Sequence, residues 1–174
     1  MIRKIGLRNS IDQGQDFMGL EIEYKFTIKD ESWRTVAQNP RKLRQAYLAR
    51  EGKSAIRVRI YDDISAKITI KAAVSGPVRQ EFEYDIPVAD AEKLMQLSSG
   101  YAIEKTRYTI AQGDLTWEID EFFGENEGLI IAEIELQDVN QKFDKPSWLG
   151  DDVTDQKRYY NSNLTALPFA RWTG

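Results

Sequence analysis

The chain contains no cysteine and no histidine. The first absence removes disulfides, thiolate nucleophiles and zinc–thiolate sites. The second removes an imidazole general base and every histidine-ligated transition-metal site. What remains for a metal is carboxylate oxygen, a donor that suits Mg²⁺, Mn²⁺ or Ca²⁺. Long apolar runs are missing too: no stretch approaches the ~20 residues needed to span a bilayer, and the start of the chain lacks the apolar core of a signal peptide. No membrane partner is expected, and a cytoplasmic location is. A net charge of −4 argues against a general nucleic-acid binder, which needs a broad positive field. The 174 residues suffice for one sizeable core and are too few for two ordinary domains. No internal repeat, low-complexity stretch or linker divides them.

What the sequence does have is alternation. Leu20 to Lys29 alternates apolar and polar residues without a fault, so Glu21, Glu23 and Lys25 project from one face of a strand. At that spacing two carboxylates can share one hard cation while the lysine meets the anion the cation carries. The pattern returns with other charges. Arg57 pairs with Arg59, Lys67 with Lys71, Arg79 with Glu81 and Glu83, Lys105 with Arg107, Glu118 with Asp120, and Glu133 with Glu135. Any one pair reads equally as the wet face of a half-buried antiparallel strand. As a set, whole strands carry one sign of charge, as if two oppositely charged walls faced a common space.

The spacing predicts strands near 19–29, 45–50, 54–62, 65–73, 78–86, 101–111, 114–123 and 129–138. Helices are expected at 32–37, at 39–44 with Asn39 as cap and Pro40 at the first helical position, at 88–98 after Pro87, and at 154–164. Trp33, Trp117, Trp148 and Trp172 read as core or turn residues, with no adenine pocket among them.

Glu21-Ile22-Glu23-Tyr24-Lys25-Phe26 resembles the ExExK signature of the CYTH superfamily, the triphosphate tunnel metalloenzymes. Further segments resemble family segments in the family's order: Gln45-Ala46-Tyr47-Leu48, Arg57-Val58-Arg59, Ile68-Thr69-Ile70-Lys71, Arg79-Gln80-Glu81-Phe82-Glu83, Glu104 to Tyr108, Glu118-Ile119-Asp120, Ala132 to Leu136, Trp148-Leu149-Gly150 and Lys157 to Asn161. The likeness covers 18–169. Tyr24 stands where an arginine is usual and Ala46 where a glycine is usual; the first lies on the apolar face, the second in a local turn.

The resemblance implies a mainly β (α+β) fold, a closed eight-stranded antiparallel β-barrel tunnel with a few peripheral helices and its charges pointing inward. It also implies a small bacterial-type enzyme that hydrolyses inorganic tripolyphosphate to pyrophosphate and phosphate with Mg²⁺ or Mn²⁺. Adenylate cyclisation, thiamine or nucleoside triphosphate hydrolysis, and a non-catalytic polyphosphate or nucleotide sensor are the alternatives. The partner is a small-molecule triphosphate, and a homodimer is left open.

A triphosphate needs comparable positive charge in a water-poor place. Lys25, Arg57, Arg59, Lys71, Lys105 and Arg107 supply it, with Arg158 as a further substrate contact that reads equally as a surface cation. The resemblance assigns Glu21, Glu23 and Glu135 to a bridging cation, Glu133 to a share in a second, and Asp120 to the same metal set. Glu81 or Glu83 would accept the hydrogen bonds of the attacking water, and Lys105 and Arg107 would steady charge on the phosphoryl group or leaving pyrophosphate. Residues 1–17 show no sustained period; they read as an extension upstream of a natural start at Met18, with a tunnel-domain at 18–174, or else as a short helix plugging a tunnel mouth.

Overall fold

The structure is a computed structural model that describes residues 22–49, 54–72, 80–138 and 140–173. The expectation for residues 1–17, and the positions of Glu21 and Arg79, lie outside the described residues, as does the side chain of Glu81.

Nine strands follow one another: β1 (Ile22–Ile28), β2 (Gln38–Ala49), β3 (Ser54–Tyr61), β4 (Ser65–Ala72), β5 (Gln80–Ile86), β6 (Ile103–Gln112), β7 (Leu115–Phe123), β8 (Ile130–Leu136) and β9 (Leu149–Asp152). They form one antiparallel sheet in the order β5-β4-β3-β2-β6-β7-β8-β1-β9. Among the described residues there are two helices, α1 (Val88–Met95) and α2 (Asn161–Leu164), and four short 3₁₀ turns.

Of the expected strands, β2 contains 45–49 but begins at Gln38, and the other seven fall where alternation places them. The closed barrel does not. Among the described residues no ladder joins β5 to β9, and the far edge of β1, which closure would need, is taken by β9 through Phe26↔Asp152 and Ile28↔Leu149. Four-residue β9 was not expected, because Leu149–Asp152 is too short to show a period.

The helix expected at 39–44 is also absent: those residues are the first half of β2. Asn39 has φ +50°, and the register between β2 and β6 shifts between Gln38 and Arg41. Asn-Pro here builds a bulge, where a residue without an N–H is tolerated. The expectation at 32–37 becomes a 3₁₀ turn at Glu31–Thr35, capped by Asp30, whose carboxylate accepts from the Ser32 N–H at 2.9 Å. The last helix shrinks to a 3₁₀ turn at Lys157–Tyr159 followed by α2.

The core lies mainly on the apolar face of the sheet. Phe26, Ile110, Trp117, Ile119 and Ile134 pack there against Trp33 and Trp148, with Phe143 edge-on to Trp117. On the other arm α1 covers Val58, Ile60 and Ala66 with Ala91, Leu94 and Met95. A third cluster sits on the opposite face, where Val153, Leu164, Phe169 and Trp172 of the carboxy-terminal segment cover Ile103, Phe122 and Ile131. That segment seals one end of the charged face and leaves the rest to the polar side chains.

Candidate active site

Period-2 projection and the strand registers decide which charges share a face. Glu23 stands opposite Glu135 and Lys25 opposite Glu133. Glu133 stands opposite Glu118, and Asp120 opposite Arg107. Arg107 lies across from Arg41, and Gln45 from Arg59. Arg59 pairs with Lys67 and Arg57 with Thr69, and Thr69 and Lys71 then face Glu83 and Glu81. Every one of these positions therefore lies on the same face of one sheet, with cations concentrated on β3 and β4 and carboxylates on β1, β7 and β8.

The centre is an ion-pair chain. Arg107 grips Asp120 with two donors, Nε to Oδ1 at 2.7 Å and a terminal nitrogen to Oδ2 at 2.6 Å. It also reaches Glu133 at 2.8 Å and bonds Glu118. Lys105 bonds the same Oδ2 of Asp120, and Lys25 bonds Glu133 and lies 2.5 Å from Glu23. Lys105 and Asp120 have no side-chain exposure at all. In such a place a charge survives only if it is paired.

The consequences differ from group to group. Burial works against the Asp120 carboxylate, but Lys105 and Arg107 together hold it below the usual carboxylate range. Burial and Asp120 push Glu133 up, yet Lys25, Arg107 and Lys105 leave its carboxyl lowered. Lys25 is raised because Glu133 and Glu23 outweigh the burial that disfavours its charge. Glu23 moves the other way: burial and neighbouring Glu133 raise its carboxyl despite Lys25. Lys105 is pushed down to about 8, first by burial and then by the cations Arg107 and Arg59, which Asp120 and Glu133 offset incompletely. Asp120 and Lys105 respond unequally to one contact because Asp120 faces two bonded cations, whereas Lys105 has a single bonded carboxylate and two cations nearby.

On the β3–β4 arm, neutral side chains also accept from the cations. Arg59 Nε donates to the side-chain oxygen of Gln45 at 2.8 Å, and Arg57 donates to the Thr69 hydroxyl at 3.2 Å. Thr69 in turn donates to Glu83 at 3.3 Å, and Lys67 lies 2.6 Å from the same carboxylate. Burial raises Glu83, but Lys67 and Thr69 leave it lowered, so it is held ionised.

Glu23, Glu118, Glu133 and Glu135 line one cavity of about 350 Å³ together with Asp114 and Thr116. Five carboxylates around one space are a hard-oxygen donor set, and Glu23 is raised by burial and by the neighbouring charge of Glu133, a local excess of negative charge. The residues thus fit a divalent cation in chemical type. Among the described residues no three acidic side chains already converge on one point, since Lys25 and Arg107 hold the carboxylates in ion pairs.

Of the residues singled out from sequence, Glu23, Lys25, Arg57, Arg59, Lys71, Glu83, Lys105, Arg107, Asp120, Glu133 and Glu135 share the charged face; so does the backbone position of Glu81. Asp120 is not among the residues lining that cavity; it is bonded to Lys105 and Arg107. The Arg158 guanidinium stands 3.8 Å from the centre of the Trp172 ring. Glu118 belongs with the cavity carboxylates, and Gln45 and Arg41 belong to the face. Arg41 and Gln45 lie four residues apart and so share a face of the extended strand, but the Asn-Pro helix signal pulled the first of them into the wrong element.

Residues 19–167 match the CYTH domain. An inorganic triphosphatase of Acetivibrio thermocellus is 43% identical over 153 residues, 87% of this chain and 97% of that protein. An inorganic triphosphatase of Nitrosomonas europaea is 35% identical over 151 residues, 83% of this chain and 95% of that protein. A crystal structure of an inorganic triphosphatase superposes with a TM-score of 0.64 at 31% identity, covering 83% of this chain and 93% of its own. The chain belongs to the CYTH domain family.

Proposed function

We propose that this member of the CYTH domain family hydrolyses inorganic tripolyphosphate to pyrophosphate and phosphate, with Mg²⁺ or Mn²⁺ as cofactor. The observation that carries the reading is the register: it sets a cationic arm on β3 and β4 and a carboxylate-lined cavity on β1, β7 and β8 along one face. Names given to relatives that span most of this chain supply the substrate class.

The chain's own groups divide the work. Arg57, Arg59 and Lys71 bind phosphate oxygens, the arginines through a planar fork and the lysine as a point charge. Lys25, Lys105 and Arg107 sit where the phosphate chain meets the carboxylates and balance the charge that grows on the departing pyrophosphate. Glu23, Glu133 and Glu135, with Glu21, are the residues that would hold the cation, and Glu118 is added by its place in the same cavity. When bound there, a divalent cation neutralises phosphate charge and makes water a better nucleophile at neutral pH. Glu83, kept ionised, and Glu81 on the same strand accept hydrogen bonds from the attacking water. Its oxygen forms the new P–O bond, the bridging oxygen leaves with pyrophosphate, and the released proton passes to carboxylate and then solvent. No histidine is required.

The experiment is phosphate release from tripolyphosphate, ATP and thiamine triphosphate in parallel, with Mg²⁺, with Mn²⁺ and with chelator. Tripolyphosphate turnover that stops on chelation is expected. Turnover that survives chelation, conversion of ATP to cyclic AMP, or binding of all three without turnover would overturn the reading.

A further inference from the structure

Gln45 has no exposed surface and sits on the charged face between Ile103 of β6 and Arg59 of β3. Its side-chain oxygen accepts from Arg59 Nε at 2.8 Å. A guanidinium offers only donors, so the oxygen and not the nitrogen of the carboxamide must face it. The Gln45 Nε2 group is then left buried with no hydrogen-bond partner. Natural cores rarely retain an unpaired donor, because it costs stability that an apolar residue of the same size would not.

The partner it holds is unusual on this face. Arg107 touches three carboxylates and Lys25 touches two. Arg59 has no carboxylate partner among the described residues, only Gln45 and the ring of Tyr61 at 5.8 Å. A neutral acceptor fixes a guanidinium without cancelling its charge, and contact at Nε leaves the two terminal nitrogens as a fork for phosphate.

We propose that Gln45 is a positioning residue for Arg59, aiming the terminal fork at the phosphate chain while leaving the arginine's full charge available to it. The inference rests on the triphosphatase reading and deepens it: the charge of Arg59 is kept by neutral clamping, whereas the charges of Lys25 and Arg107 are spent in ion pairs.

The test compares full-length wild type with Gln45→Met, Gln45→Glu, Arg59→Met and the Gln45→Met/Arg59→Met double variant, in Mg²⁺ with tripolyphosphate. Wild-type turnover examines the triphosphatase reading by itself; the variants are read as ratios to it. Should wild type bind without turnover, calorimetric Kd replaces KM and the same ratios apply. Gln45→Met is expected to raise KM about tenfold with kcat little changed, and to leave Tm equal or higher because the orphaned donor is gone. Gln45→Glu should raise KM at least as far, by neutralising Arg59. In the Arg59→Met background Gln45→Met should add nothing further, as expected of a residue that acts through its neighbour. Additive effects in the double variant, an unchanged KM in Gln45→Met, or a fall in kcat and Tm together would overturn the proposal. If Gln45→Glu fails to fold, the Met series decides alone.

Discussion

Arg107 and Asp120 face each other across the β6–β7 ladder and are joined by two hydrogen bonds, of 2.7 and 2.6 Å, with the carboxylate wholly buried. This side-on pair, braced by Lys105 behind it, anchors the charged face.

Removing one member of a buried pair strands the others. Asp120→Ala is expected to destabilise the fold by roughly 3 to 5 kcal/mol, read as a lower urea midpoint at unchanged slope. The pH dependence has a definite sign. Asp120 is lowered from 3.8 in the folded state, so its contribution is present above that value and is lost as pH falls through it. Wild type should lose stability steeply below about pH 4, and Asp120→Asn should show a flatter curve there. Parallel acid profiles would show that the pair contributes nothing.

Lys105 supplies an alkaline signature. Free protein holds it neutral above about pH 8, and a polyanion laid beside Arg59 and Arg107 favours its charged form again. Tripolyphosphate binding without turnover, in chelator, should therefore take up protons above about pH 8 and little below it. Calorimetry at pH 8.5 in two buffers of different ionisation enthalpy measures the uptake, and Lys105→Met should remove the part due to this lysine. Equal uptake in both proteins would place the titration on the substrate alone.

The two arms should fail differently. Glu23→Gln or Glu135→Gln should weaken the metal requirement's midpoint, with rate partly restored by excess Mn²⁺. Arg57→Ala removes a charge-assisted contact worth roughly 1.5 to 3 kcal/mol and should raise KM about ten- to hundredfold with the metal midpoint unchanged. Metal titrations at saturating and limiting substrate separate the outcomes. Identical behaviour in all three variants would mean that these charges serve only as structural ion pairs.

Gly150 explains why the short motif Trp148-Leu149-Gly150 carries a residue without a side chain. A Cβ there would lie 2.9 Å from the Thr27 carbonyl oxygen, at the place where β9 covers β1. Gly150→Ala should cost about 1 to 3 kcal/mol and loosen β9 first, seen as faster amide exchange at Asp151 and Asp152 than in the central strands. Unchanged exchange and Tm would show that β9 shifts without penalty.

Much of the face was legible because strand periodicity is local. Glu23 and Lys25, or Arg57 and Arg59, must share a side once their segments are extended, whatever lies next to them. The same logic found the apolar side, including Trp117 and Ile119 flanking Glu118. The helix expected at 39–44 failed because Asn39-Pro40 signals a cap and a bulge equally well, and only the ladder with β6 chooses between them. Arg158 stacks on the ring of Trp172, fourteen residues further along the chain, a contact that no local pattern shows.

The sequence by itself determined which residues alternate, which sign of charge each strand presents, and that any metal must be held by oxygen. Tertiary structure alone decided which strand lies beside which, and so which charges meet. Lys25 faces Glu133 across 108 residues of chain, and Gln45 reaches Arg59 rather than any carboxylate. It decided too that β9 takes the edge of β1 and that no ladder joins β5 to β9 among the described residues. The reason is range: period 2 follows from the geometry of one extended backbone, whereas ladder order, register and the unequal fates of Asp120 and Glu23 depend on pairing and burial contributed by distant segments.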